Sequence, residues 1–76
     1  MKNISIIGSG SWGAALAIHC AKMGHNVKIW SFSQEEADII NNEHKCKFLP
    51  MVTMPENILC TTNIEEAVKG SDMILH

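Results

Sequence analysis

Arginine is absent from this chain, and its six lysines are outnumbered by eight acidic residues, for a formal net charge of -2. That balance leaves no basic stripe for nucleic acid and no polybasic patch for an anionic membrane. Long apolar runs are missing too. Ala14-Ala15-Leu16-Ala17-Ile18 is too short to span a bilayer and, lying behind glycines, too late for a signal peptide. Nothing marks the chain for export. Cysteine is scarce: Cys20, Cys46 and Cys60 form an odd set with wide gaps and no C-x-x-C. This argues against a disulfide framework or a zinc knuckle and fits a reducing cytoplasm.

What is present is packable. The chain is 46% hydrophobic and 18% charged, the balance of a folded protein and not of a disordered tail. Its 76 residues allow one domain at most, with a small core. Asn3-Ile4-Ser5-Ile6-Ile7 is short, β-branched and stopped by Gly8, so a buried strand is expected. From about Trp12 a helix is expected, with Ala14, Ala17, Ile18 and Ala21 at helical spacing and Gly24 at the left-handed cap position. Asn26 to Trp30 alternates and predicts a second strand, parallel to the first across a βαβ crossover. Ser33 and Glu36 form an S-x-x-E capping box, which predicts a helix from Gln34 to about Asn41. Glu43 to Pro55 holds both prolines and no sustained period, and predicts a long irregular connection. Beyond it come a strand at Ile58-Leu59-Cys60, a short helix opened by the Asn63/Glu66 box and ending near Gly70, and a strand starting at Met73-Ile74-Leu75. The pattern is α/β, and it predicts the N-terminal portion of a Rossmann-type doubly wound parallel sheet, with residues 1–76 as a partial dinucleotide-binding domain.

Gly8-Ser9-Gly10-Ser11-Trp12-Gly13 fits G-x-G-x-x-G. Alone, that pattern is weak evidence; directly after a predicted strand and at the opening of a predicted helix, it stands where a dinucleotide pyrophosphate is bound. Gly8 permits the tight turn, Gly10 lacks a Cβ that would meet the phosphates, and Gly13 allows close helix–strand packing. Amides at the helix start, around Ser11, Trp12 and Gly13, point toward the diphosphate, and the Ser11 hydroxyl adds a donor.

NAD sites usually carry an acid at the end of the second strand to hold the ribose hydroxyls. Here Ser31-Phe32-Ser33 stands in its place, and the first carboxylates are Glu35 and Glu36, expected within the next helix. No arginine offers a fork for a 2′-phosphate, yet two serines without an acid tilt the expectation toward NADP over NAD. Phe32 is a candidate to lie against the adenine or, equally, an edge aromatic.

Other residues invite chemistry with less support. His19, His25 and His44 with Cys20 and Cys46 lack the spacing of a tetrahedral metal site, so no metal is expected. Phe48, Leu49, Met51 and Met54 could wall a ligand cleft, but such residues more often pack a loop against a sheet. Glu35-Glu36 and Glu65-Glu66 complement helix dipoles without implying catalysis.

From Gly8 to Ala17 the chain resembles the opening of bacterial glycerol-3-phosphate dehydrogenases, where an aromatic follows the serine. Gly24-His25-Asn26-Val27-Lys28-Ile29-Trp30 is similar to that family's second strand, and His44, Phe48-Leu49-Pro50 and Pro55-Glu56-Asn57-Ile58 resemble its characteristic loop. The resemblance implies reduction of dihydroxyacetone phosphate to sn-glycerol 3-phosphate with NADH or NADPH, feeding phospholipid synthesis in the cytoplasm, with Ser11 and Trp12 touching the cofactor. It places the catalytic lysine and a C-terminal helical substrate domain outside these 76 residues. Phe32 stands where many members carry a basic residue. The partners expected are a dinucleotide and, in the full-length enzyme, a small phosphorylated substrate, with a homodimer as a candidate assembly. Competing readings are another NAD(P)-dependent β-hydroxyacid or 2-keto-acid reductase, and a non-catalytic nucleotide-binding module.

Overall fold

A computed structural model describes the backbone of residues 2–8, 10–46 and 49–75, with side chains at these positions other than 11, 46 and 49–52. Its main sheet has four parallel strands: β1 (Asn3–Ile7), β2 (Asn26–Trp30), β5 (Ile58–Thr61) and β6 (Met73–Leu75), in the order β5-β2-β1-β6. Three helices connect them: α1 (Ser11–Lys22), α2 (Gln34–Asp38) and α3 (Ile64–Val68).

Strand order follows from the crossovers. β1 to β2 and β2 to β5 step one way across the sheet, and β5 to β6 then returns to the far side of β1. This is the 3-2-1-4 opening of a doubly wound sheet, whose topological switch point lies between β1 and β6.

Alternation along each strand separates two faces. Ile4, Ile6, Val27, Ile29, Ile58 and Cys60 turn to one side and bury against Ala14, Ala17, Ile18 and Ala21 of α1, with Ala37, Ile40 and Met54 completing the cluster. The alanines explain how close α1 lies: three of the four helix residues in the core have no side chain beyond Cβ. On the opposite face Ser5 is fully buried, its hydroxyl bonded to the carbonyl of Ala67 in α3 and to the Ser71 hydroxyl. Lys28 donates to the carbonyls of Glu66 and Lys69 at 3.4 and 3.5 Å, capping the end of α3.

Two long-range side-chain clamps complete the frame. Asn57 Nδ2 donates to the carbonyls of Ala21 and His25 at 3.0 and 2.8 Å, tying the entry to β5 to the end of α1. Asn41 holds Cys60 from both sides, Nδ2 donating to its carbonyl and Oδ1 accepting from its amide, each at 2.8 Å.

The structure departs from expectation after α2. The helix does not stop at Asn41 but widens into a π-helical turn over Ile39–Glu43, ending at His44 in the left-handed region (φ 54°). The connection expected to be irregular contains a short antiparallel pair, β3 (Lys45–Cys46) with β4 (Leu49–Thr53). Pro50 hid that pair from the sequence, because proline in a run argues against a strand and is tolerated mainly at edges. Met54 is then buried in the core, and its amide donates to the His44 carbonyl at 2.6 Å.

Candidate functional site

Parallel strands put all their following loops at one end of the sheet. The turn after β1 and the segment after β2 are therefore neighbours, and a bond from the Gly8 amide to the Trp30 carbonyl (3.0 Å) joins them directly. Gly8 has φ 113°, a conformation L side chains rarely adopt, and it bends the chain from β1 toward α1. A Cβ on Gly13 would lie 2.5 Å from the Gly8 carbonyl oxygen, so the first turn of α1 rests on the glycine turn itself. A Cβ on Gly10 would meet nothing within 4 Å. Space above Gly10 is open, and only a group from outside the described residues would fill it.

Gly10 is the N-cap of α1 and supplies no side-chain acceptor, and no acid sits in the first turn. Its carbonyl accepts from the Ala14 amide at 2.9 Å, while the amides of Ser11, Trp12 and Gly13 precede the first intrahelical acceptor. A helix start of this length without a protein cap suits an anion. The Ser11 hydroxyl, expected as a further donor, lies outside the described side chains.

Trp12 and Phe32 are 65% and 86% exposed, unusual for such large apolar groups, and both stand at the carboxyl end of the sheet. Phe32 meets the Trp30 ring edge-on, with centroids 5.6 Å apart. The Trp30 indole N–H donates to the Thr62 carbonyl at 3.0 Å, which fixes that ring.

Ser31 is buried, at 2% exposure. Its hydroxyl accepts from the Ser33 amide at 3.1 Å and donates to Glu36 Oε2 at 3.2 Å. Ser33 caps α2, its hydroxyl accepting from the Glu36 amide at 3.3 Å. The expected capping box is thus half formed: Glu36 does not reach back to the Ser33 amide, because the Ser31 hydroxyl has taken that place and draws the carboxylate toward itself. Glu36 is 92% buried, with Oε1 shielded from solvent and without a hydrogen-bond partner among the described residues. Sequence reading placed Glu36 as a capping residue and missed this pairing. The signal available was a serine two residues before an N-cap serine, enough to relay one bond.

The other candidates disperse. His19 is exposed on α1 and Cys20 packs against the core edge, while His25 accepts from the Lys2 amide at 3.1 Å. Among the described residues no three His, Cys, Asp or Glu side chains gather as a metal would need. Phe48, and the side chains of Leu49 and Met51, lie outside the described residues; Met54 is core and not cleft wall. A cleft of about 370 Å³ lined by Asn3, Asn26, Asn57 and Leu59 lies at the amino ends of the strands, opposite the glycine turn. No helix of the described residues is long and apolar enough to cross a membrane.

Known proteins give the same picture. Over 96% of its length the chain superposes on a crystal structure of glycerol-3-phosphate dehydrogenase from Coxiella burnetii, with a TM-score of 0.88 and 31% identity, covering 23% of that protein. The corresponding enzyme structure from Saccharomyces cerevisiae gives 0.86 and 30%, with 96% and 25% covered. In sequence the chain is 49% identical over 77 residues to glycerol-3-phosphate dehydrogenase [NAD(P)+] of Fusobacterium nucleatum, and 41% identical over 76 residues to that of Agathobacter rectalis. Each alignment covers 99% of this chain and 23% of the relative, so the chain spans about a quarter of the length of the proteins it matches. Residues 3–76 match the model of the NAD-dependent glycerol-3-phosphate dehydrogenase N-terminus, and the chain belongs to that family.

Proposed function

We propose that the turn from Gly8 to Gly13 binds the pyrophosphate of NAD or NADP, and that this chain is the cofactor-binding part of a longer enzyme. That enzyme interconverts sn-glycerol 3-phosphate and dihydroxyacetone phosphate in the cytoplasm, as a step toward glycerophospholipids. The observation that carries the reading is the open space at Gly10 beside an uncapped helix start, at the switch point of a doubly wound sheet. When bound, the nicotinamide supplies or accepts the hydride exchanged with the substrate carbon.

The chain's own residues bind and orient. Amides of Ser11, Trp12 and Gly13 face the diphosphate, Gly10 lets it approach, and Gly8 and Gly13 hold the turn in shape. Phe32 offers a face to the adenine, with Ser31 and Ser33 forming the backbone turn beside the ribose. The exposed Trp12 ring shields the pyrophosphate from solvent. Hydride transfer to a phosphorylated ketone needs groups on further chain, and the half-exposed Met73 and Ile74 on edge strand β6 leave a place for it or for a second copy in a homodimer.

Calorimetric titration of the chain with NAD+ and NADP+ tests the reading. Saturable 1:1 binding of at least one dinucleotide, abolished by blocking Gly10, is the expected outcome; no heat with either defeats it.

A further inference from the structure

The end of β2 carries serines where an acid usually selects the cofactor, and on sequence alone that tilts toward NADP. The folded chain has an acid there after all. Glu36 arrives from the first turn of α2, one hydrogen bond from Ser31, and is held beneath the Ser31–Ser33 turn instead of on its surface. Ser31 directly follows Trp30, whose carbonyl binds Gly8, so this carboxylate is tied to the same turn that meets the cofactor.

The electrostatics are one-sided. The chain has no arginine, and Lys28, the one lysine between residues 23 and 44, spends its ammonium on the carbonyls at the end of α3. Among the described residues, Glu36 has one hydroxyl donor on Oε2 and none on Oε1. The Ser31 hydroxyl donates to Glu36 and accepts from the Ser33 amide. The serine expected to donate to a 2′-phosphate therefore points its proton at a carboxylate. A buried charge is screened far less than an exposed one, so it acts on an approaching phosphate through protein and not through water.

We propose that Glu36, clamped to the end of β2 through Ser31, sets this chain's choice of dinucleotide by opposing a 2′-phosphate, so that NAD is bound in preference to NADP. Glu36 is a positioning and specificity residue and does not touch the ligand; the proposal rests on the dinucleotide reading above.

The experiment is calorimetric titration of the chain with NAD+ and with NADP+ at low and high salt, repeated on Glu36→Gln and on Glu35→Gln. Glu35 is exposed, one residue earlier, and its substitution removes the same charge where solvent screens it. The unsubstituted chain should favour NAD+ by about tenfold or more at low salt, and most of the preference should survive as salt rises, because the charge is buried. Glu36→Gln should bring the two affinities within about threefold by strengthening NADP+ binding, while Glu35→Gln leaves most of the preference intact. A purely structural role for Glu36 would weaken both ligands together and leave their ratio alone. Equal binding of both dinucleotides by the unsubstituted chain, a preference that vanishes at high salt as an exposed charge's would, or equal effects of the two substitutions would overturn the proposal while leaving dinucleotide binding standing. Absence of binding to either would instead remove the reading beneath it. The salt series needs no variant, so the outcome does not depend on Glu36→Gln folding.

Discussion

Replacing Gly13 by alanine adds one methyl group at the tightest contact of the site. Its Cβ would stand 2.5 Å from the Gly8 carbonyl oxygen and 3.3 Å from the Gly8 carbonyl carbon, against an ordinary contact distance of 3.4 Å or more. The oxygen must move by 0.9 Å (3.4 less 2.5), and it belongs to backbone, not to the end of a flexible side chain. Ile6 Cγ2, at 3.6 Å, leaves no slack behind it. Overpacking of this kind costs about 1–3 kcal/mol. Against it stands the better helix propensity of alanine, worth about 1 kcal/mol at a helical position. The clash falls on a carbonyl held in a left-handed turn, which puts its cost in the upper part of that range, about 2–3 kcal/mol, and the resulting net loss of about 1–2 kcal/mol lowers the melting temperature by roughly 5–15 °C for a domain of this size. Thermal unfolding followed by far-ultraviolet circular dichroism measures it, with calorimetry on the same sample reporting weakened dinucleotide binding as Gly8 shifts. A Gly13→Ala chain as stable as the parent, with undiminished affinity, would refute the argument that α1 rests on the Gly8 carbonyl.

Gly10→Val separates binding from folding: its branched side chain enters open space, so melting should change by a few degrees at most while dinucleotide binding in calorimetry is lost. Asn41→Ala strips two bonds from the Cys60 backbone and should cost about 1–3 kcal/mol in urea unfolding, since Cys60 is buried. The 76-residue chain should show no turnover of dihydroxyacetone phosphate with NADH or NADPH in an absorbance assay, because it spans about a quarter of the length of the relatives it matches; measurable turnover would mean that chemistry resides in the cofactor-binding part.

The four-stranded parallel core was legible because each element carried a local signal with one meaning. Ile4 and Ile6, Val27 and Ile29, and Ile58 and Cys60 all show the two-residue period of a strand, and Gly24 and Gly70 both have positive φ just past the helices they end. The glycine turn was legible for the same reason. What failed to show was non-local. The β3/β4 pair depends on backbone partners, with Pro50 speaking against it, and the π-helical turn needs the clamp from Asn41 to Cys60, nineteen residues away. Glu36 is the instructive case: the capping box was read correctly as a helix start, since the Glu36 amide does bind Ser33, yet the carboxylate's direction was set by Ser31, a residue the motif does not include.

On the proposed reading, shape and selectivity at this site rest on different bonds. The glycine turn owes its form to a close backbone contact, Gly13 against Gly8, which cares about volume and is indifferent to charge. Opposite it, the Ser31–Ser33 turn is held by a chain of hydrogen bonds ending on a buried carboxylate, which cares about charge and needs little room. The Gly8 amide bonded to the Trp30 carbonyl is the hinge between them, keeping the two halves in register across neighbouring strands. In the proposed binding mode, a dinucleotide spanning the carboxyl ends of β1 and β2 would meet both at once: its diphosphate, the same in NAD and NADP, would lie against the contact that reads shape, while its ribose, where the two cofactors differ, would lie over the one that reads charge.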